Sequence, residues 1–123
     1  MDKEIILKEK MLRLWLDEFL KDTQEGAWLL ELNPDNVKIV FNDLGDWAYG
    51  MSVFDKIVLN SRYQAFELFS TLVHELWHLK QRRDSPIRYW IFKMPFFRHK
   101  IENSAEEKEQ IAENWLVEKG YVK

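Results

Sequence analysis

Hydrophobic residues near the start of the chain recur at helical spacing. Between about residues 3 and 21 they are separated by Lys, Asp and Glu, and they comprise Ile5, Leu12, Trp15, Leu16, Phe19 and Leu20. This three- and four-residue period predicts an amphipathic helix that packs against the rest of the domain. Residues 25–32 are compatible with a short second helix, which ends at the turn sequence of residues 33–36, Asn-Pro-Asp-Asn.

The middle of the chain predicts a β-sheet. Residues 37–41 and 56–60 alternate in polarity and are rich in β-branched side chains, which is typical of strands. Residues 47–53 form a weaker third candidate strand, and Phe54-Asp55 predicts a tight reversal into the last one. We expect a small, mainly antiparallel three-stranded sheet.

Two further helices are predicted after the sheet. The first extends from about residue 62 to residue 83 and ends before Ser85-Pro86. Its apolar face is formed by Phe66, Phe69, Leu72, Val73, Leu76 and Leu79. The second begins at Ser104, as N-cap of a capping box with Glu107, and extends to about residue 119. The order of elements predicts one α+β domain that covers residues 1–123.

The first of these two helices contains His74-Glu75-Leu76-Trp77-His78, a match to the pattern HExxH. Histidines four positions apart lie on one face of a helix, one turn apart, so two imidazole nitrogens can converge on one zinc ion. Glu75 points to the side of that face, where it can act on a metal-bound water without binding the metal. We therefore predict His74 and His78 as zinc ligands and Glu75 as the general base.

A third ligand must come from elsewhere, because a catalytic zinc ion normally takes three protein ligands and a water. One stripe of the last helix consists of Ala105, Glu109, Ala112 and Leu116. Glu107 and Lys108 fall outside this stripe. A carboxylate on an inward, apolar face needs a positive partner, and a metal ion is such a partner. This pattern favours Glu109 as the third ligand, with Glu106 as an alternative on the same helix.

HExxH on one helix, followed about 30 residues later by Glu-x-x-Ala on the next, resembles the gluzincin metallopeptidases, particularly the very small minigluzincins. The resemblance covers about residues 47–117. It implies a zincin-like fold, zinc ligation by His74, His78 and Glu109, and Glu75 as general base and acid. It also implies that a strand just before the His helix forms the edge of the cleft and pairs with an extended substrate. Glu113 stands where the family often has Asp or Asn.

Other zinc families leave two further alternatives for the third ligand. Metzincins place it six residues after the motif, which is Asp84 here, but Gln81 stands where they have Gly. SprT-like DNA–protein crosslink proteases use a later histidine, which corresponds to His99, but Lys100 stands where they have Gly. Peptide deformylases use a cysteine ligand, and this chain has no cysteine.

Composition narrows the chemistry further. The absence of cysteine excludes a disulfide scaffold, a thiol nucleophile and a thiolate zinc site. The 18 basic and 21 acidic residues give a formal charge of −3 and no general argument for nucleic acid binding. The first residues carry charges where a signal peptide needs an apolar run, and no stretch approaches the roughly 20 apolar residues of a membrane span. We expect a cytoplasmic protein.

Residues 80–100 form a basic and aromatic insert with a local formal charge of +6. Its aromatic residues are Tyr89, Trp90, Phe92, Phe96 and Phe97. Three interpretations compete: the aromatics line the core and cleft, the insert binds nucleic acid, or it docks on a membrane surface. Tyr89, Arg98 and His99 are candidate donors to the transition state.

Together these features predict a zinc-dependent metalloendopeptidase. Zinc would activate a water for attack on a peptide carbonyl, and Glu75 would pass its proton to the leaving amine. The substrate would be a peptide or protein that lies extended along the edge strand. The alternative is a catalytically silent or regulatory zincin-like module that binds DNA or a protein partner through residues 80–100.

Overall fold

The computed structural model describes residues 3–46, 48–53, 56–84 and 98–121, with the side chains of residue 35 and residues 98–102 left out of the description. The predicted reversal at Phe54-Asp55 and most of the basic insert, residues 85–97, therefore lie outside the described residues. Among the described helices, none has both the length and the apolar character needed to cross a bilayer.

Two helices open the fold. α1 spans Lys3–Asp22 and α2 spans Gln24–Leu29, followed by two 3-10 turns at Leu30–Leu32 and Pro34–Asn36. Thr23 separates the helices, because its Oγ1 accepts a hydrogen bond from Gly26 N and donates one to Phe19 O, both at 2.9 Å. A Cβ at position 26 would lie 2.2 Å from Phe19 O, so only glycine allows α2 this close to α1. The amphipathic first helix and the short second helix are confirmed.

The sheet is mixed, and the prediction of a mainly antiparallel sheet is wrong. β1 spans Lys38–Asn42, β2 spans Gly50–Val53 and β3 spans Lys56–Asn60. The strand order is β1-β3-β2, with β1 parallel to β3 and β2 antiparallel to β3. β3 lies in the centre of the sheet, and its Ile57 and Leu59 are fully buried. The strand directly before the HExxH helix is therefore central, and β2 is an outer strand of the described sheet.

Gly50 and Asn60 determine how β2 and the loop before it pack against their neighbours. A Cβ at position 50 would lie 2.9 Å from both Val58 O and Thr71 Cγ2, so glycine allows β2 to lie close to the next helix. Asn60 is fully buried at the end of β3. Its amide donates to two carbonyls of the β1–β2 loop at 2.8 and 2.9 Å and accepts from Leu44 N and Arg62 N. One side chain thus ties this loop to the turn that precedes the following helix.

α3 spans Ala65–Asp84 and α4 spans Arg98–Glu118. α3 packs between the sheet and the other helices, and its predicted apolar face is confirmed except for Phe66, which is 45% exposed while Leu68 is buried. The capping box at Ser104 is wrong, because α4 begins upstream at Arg98 and Ser104 lies inside the helix. Four described helices and a mixed three-stranded sheet make this an α+β domain.

Candidate metal centre

The two histidines of the HExxH segment face each other from consecutive turns of α3. Their Nε2 atoms lie 3.1 Å apart, and their ring centroids lie 4.8 Å apart. His78 is buried and His74 is partly exposed. The regular helix from Ala65 to Asp84 therefore converts the four-residue spacing into a convergent pair of imidazoles.

The outer nitrogen of each ring contacts an oxygen acceptor. His74 Nδ1 lies 3.0 Å from Glu109 Oε2, and His78 Nδ1 lies 3.0 Å from Gln81 Oε1. A carboxylate or an amide oxygen only accepts, so these contacts favour the tautomer with hydrogen on Nδ1 in both rings. Neutral rings of this tautomer present an Nε2 lone pair each, and the two lone pairs then face each other.

Two facing lone pairs repel unless a proton or a metal ion lies between them, so the same geometry suits a metal ion. Zinc binds imidazole nitrogen at about 2.0–2.1 Å with tetrahedral angles, which separates two such nitrogens by about 3.3 Å. The separation of 3.1 Å between His74 Nε2 and His78 Nε2 is close to that value. The residues present therefore fit a zinc ion.

Glu75 adds a carboxylate beside this pair. It is buried, and one of its oxygens and a nitrogen of each histidine all lie within 4.8 Å of one another. A general base can act directly or through one water at such separations. Within the described part of the chain, His74, Glu75 and His78 are the His and acidic residues that come close enough together to hold a metal ion.

Glu109 reaches the site from α4. Ala105 and Ala112, one turn on either side of it, are fully buried, and these small side chains allow α4 to approach α3 closely. The structure brings Glu109 to His74 as the stripe predicts, but to the ring nitrogen that does not face His78. A carboxylate in this position orients the imidazole. Its role as the third ligand stays a prediction.

Lys108 was expected outside the inward stripe, and that expectation is wrong. The residue is buried, with Nζ 4.8 Å from the Trp77 ring centroid and 5.2 Å from that of Trp28. Trp77 also donates from Nε1 to Ser104 Oγ at 2.9 Å. The position of Lys108, three residues after the buried Ala105, was the sequence signal for its burial, but a lysine is usually solvated. These contacts attach α4 to the HExxH helix beside Glu109.

The structure does not bring the other candidate acids to the histidines. Asp84 is exposed at the end of α3 and forms an ion pair with Lys80. Glu106 and Glu113 are exposed on α4, outside the His–Glu–His group. Arg98 and His99 lie in the first turn of α4 with side chains outside the description, and Tyr89 lies outside the described residues.

The described part of the basic insert contacts Glu31. Lys80 Nζ lies 3.1 Å from Glu31 Oε2, and Arg83 donates to Glu31 O at 2.9 Å. Burial lowers the pKa of Lys80, but hydrogen bonds and charge from Asp84 and Glu31 outweigh it, and the pKa is raised. Part of the insert's positive charge is thus already paired within the domain.

Comparisons of this chain with protein-family models, with curated proteins and with solved structures found no match. The functional argument therefore depends on the side chains of the site.

Proposed function

We propose that this protein is a zinc-dependent peptidase with a zincin-like arrangement of sheet and helices. The observation that carries the proposal is the pair of Nε2 atoms 3.1 Å apart on His74 and His78, with an oxygen acceptor on each Nδ1. Imidazole nitrogens suit zinc among the common metal ions, and the chain has no thiolate that would favour a structural zinc site instead.

His74 and His78 would hold the ion through Nε2. Glu109 would be either the third ligand or the partner that orients His74. Zinc, when bound, acts as a Lewis acid toward the scissile carbonyl and lowers the pKa of a water. Gln81 and Glu109 fix the two imidazoles by their contacts at Nδ1. Because these contacts are formed within the folded chain, the ligand set is largely pre-organised.

Glu75 supplies the proton transfer that peptide hydrolysis requires. Its buried carboxylate, within 4.8 Å of a nitrogen of each histidine, takes a proton from the attacking water and returns it to the leaving amine. β2, an outer strand of the described sheet at Gly50–Val53, has partly exposed residues throughout and provides main-chain groups for an extended peptide. Binding through main-chain hydrogen bonds limits the sequence specificity that we expect.

Zinc content and cleavage test this proposal together. Elemental analysis of purified wild-type protein and of the Glu75→Gln variant should give about one zinc ion per chain in both, since the base is not a ligand. Casein or a broad peptide library should be cleaved by the wild type and left intact by Glu75→Gln. The matched control is Glu113→Gln, because Glu113 is exposed on α4, and it should retain zinc and activity.

Each failure has a distinct meaning. Wild-type protein without zinc overturns the metal site and the peptidase together. Zinc without cleavage across the library rejects the peptidase and leads to the alternative, a silent or regulatory module that binds DNA or a protein through residues 80–100. DNA binding at low salt that weakens steeply with added salt then supports the nucleic-acid form of that module.

A further inference from the structure

We propose that Gln81 is a positioning residue for the metal site. Its side-chain oxygen accepts a hydrogen bond from His78 Nδ1 and holds this imidazole in the tautomer whose Nε2 faces His74. The consequence for zinc affinity rests on the proposed function, whereas the tautomer itself does not.

The geometry follows from helix spacing and burial. Gln81 lies three residues after His78, so both side chains are on the same face of α3, and Oε1 lies 3.0 Å from Nδ1. The helix continues to Asp84, so both residues are held by a regular helical backbone. Gln81 is partly buried, which limits competition from water for the same nitrogen.

A neutral imidazole has one N–H and one acceptor nitrogen, and only the acceptor can bind a metal ion. A hydrogen bond from Nδ1–H to Gln81 Oε1 stabilises the form in which Nε2 is the acceptor. Without this oxygen, part of the His78 population carries its hydrogen on Nε2 and cannot bind there. Loss of such an outer partner typically lowers metal affinity by about 10–100-fold.

Substitution of Gln81 is a cleaner test than substitution of Glu109, which contacts Nδ1 of His74. Glu109 lies on α4 between two buried alanines, so its substitution also disturbs the contact between α3 and α4. Gln81 lies on the same helix as His78, and a side chain of equal length can replace it. Gln81→Met removes the acceptor at similar length and helix propensity, and Gln81→Glu retains an acceptor.

The first measurement is the tautomer of His78 in zinc-free protein. Nitrogen-15 NMR of the imidazoles, well above their usual pKa of about 6.5, distinguishes hydrogen on Nδ1 from hydrogen on Nε2. We expect the Nδ1–H form in wild type and in Gln81→Glu, and a shift toward the Nε2–H form in Gln81→Met. Gln110→Met is the matched control, because Gln110 is exposed on α4 and contacts Asn114 instead.

The second measurement is zinc affinity by competition with a chromophoric chelator. Gln81→Met should bind zinc about 10–100-fold more weakly than wild type, and Gln81→Glu should bind at least as tightly, since an ionised acceptor makes the stronger hydrogen bond. Gln110→Met should match wild type. Thermal unfolding of the zinc-free proteins checks that all variants fold.

The outcomes separate this inference from the proposed function. An unchanged tautomer in Gln81→Met, or a wild type that is already Nε2–H at His78, overturns the inference whether or not zinc binds. Unchanged zinc affinity in Gln81→Met, or no rescue by Gln81→Glu, overturns it in a protein that binds zinc. A wild type that binds zinc but cleaves nothing overturns only the peptidase.

Discussion

Two substitutions of Glu109 distinguish the two roles that this carboxylate can have. Its Oε2 lies 3.0 Å from His74 Nδ1, the nitrogen opposite the one that faces His78. In this position the carboxylate orients His74, and Glu109→Ala removes the orienting acceptor. The expected loss of zinc affinity is about 10–100-fold, or about 1.4–2.7 kcal/mol.

Comparison of Glu109→Gln with Glu109→Ala distinguishes the two roles. The amide has the same length and still offers an oxygen to His74 Nδ1, but a neutral acceptor makes a hydrogen bond roughly half as strong as a charged one. If the carboxylate orients His74, we expect Gln to lose about half of the alanine effect in kcal/mol, which is about 3–10-fold in affinity. A neutral amide is a poor zinc ligand, so a ligand role predicts equal losses for Gln and Ala.

Zinc affinities of wild type, both variants and Glu113→Gln can be compared by chelator competition at one pH and ionic strength. Glu113→Gln removes an exposed carboxylate one turn further along α4 and should not change the affinity. Losses of more than about 100-fold that are equal for Gln and Ala would refute the orienting role and identify Glu109 as a direct ligand.

Three further predictions concern the fold. Gly26→Ala gains about 1 kcal/mol of helix propensity, but its Cβ would lie 2.2 Å from Phe19 O. The overpacking costs about 1–3 kcal/mol or more, so the urea midpoint of unfolding should fall. An unchanged midpoint would show that the two helices can separate freely. Asn60→Ala removes four side-chain hydrogen bonds at a fully buried position and should cost about 3–4 kcal/mol in chemical denaturation, and a loss below about 1 kcal/mol would contradict this. The pKa of Asp43 is held below its usual 3.8 by a backbone N–H in the same turn and by Arg62. A folded-state pKa below the unfolded one adds stability above pH 3.8, and this stability is lost as the pH falls through the folded pKa. Asp43→Asn should therefore flatten the decline in melting temperature below pH 3.8. An unchanged decline would refute the lowered pKa of Asp43.

The helices and strands were largely readable from the sequence, but the arrangement of the sheet was not. Residues 38–42 and 56–60 read Lys-Ile-Val-Phe-Asn and Lys-Ile-Val-Leu-Asn, and they pair in parallel residue for residue. The predicted reversal at Phe54-Asp55 indicated an antiparallel neighbour for the last strand, but it carried no information about the parallel pairing of β1 with β3.

The residues of the site that lie on one helix could be predicted from the sequence, whereas contacts between helices could be predicted only in part. His74, Glu75 and His78 are placed by one helix, so their spacing sufficed to bring them together. The small-residue stripe on α4 brought Glu109 to the correct neighbour, but which nitrogen of His74 it contacts depends on rotamers that packing sets. Gln81 stands where metzincins have a glycine, and its three-residue spacing from His78 is the sequence signal for the contact between the two side chains.

Gly50 sets how closely β2 can approach α3, the helix that carries the HExxH segment. A single methyl group at this position would press on Thr71, which lies one helical turn before Glu75, and on the backbone of β3. β2 and α3 would have to shift apart to accommodate this methyl group. A substitution in a strand can therefore shift the helix that carries His74, Glu75 and His78 without changing any of these three residues.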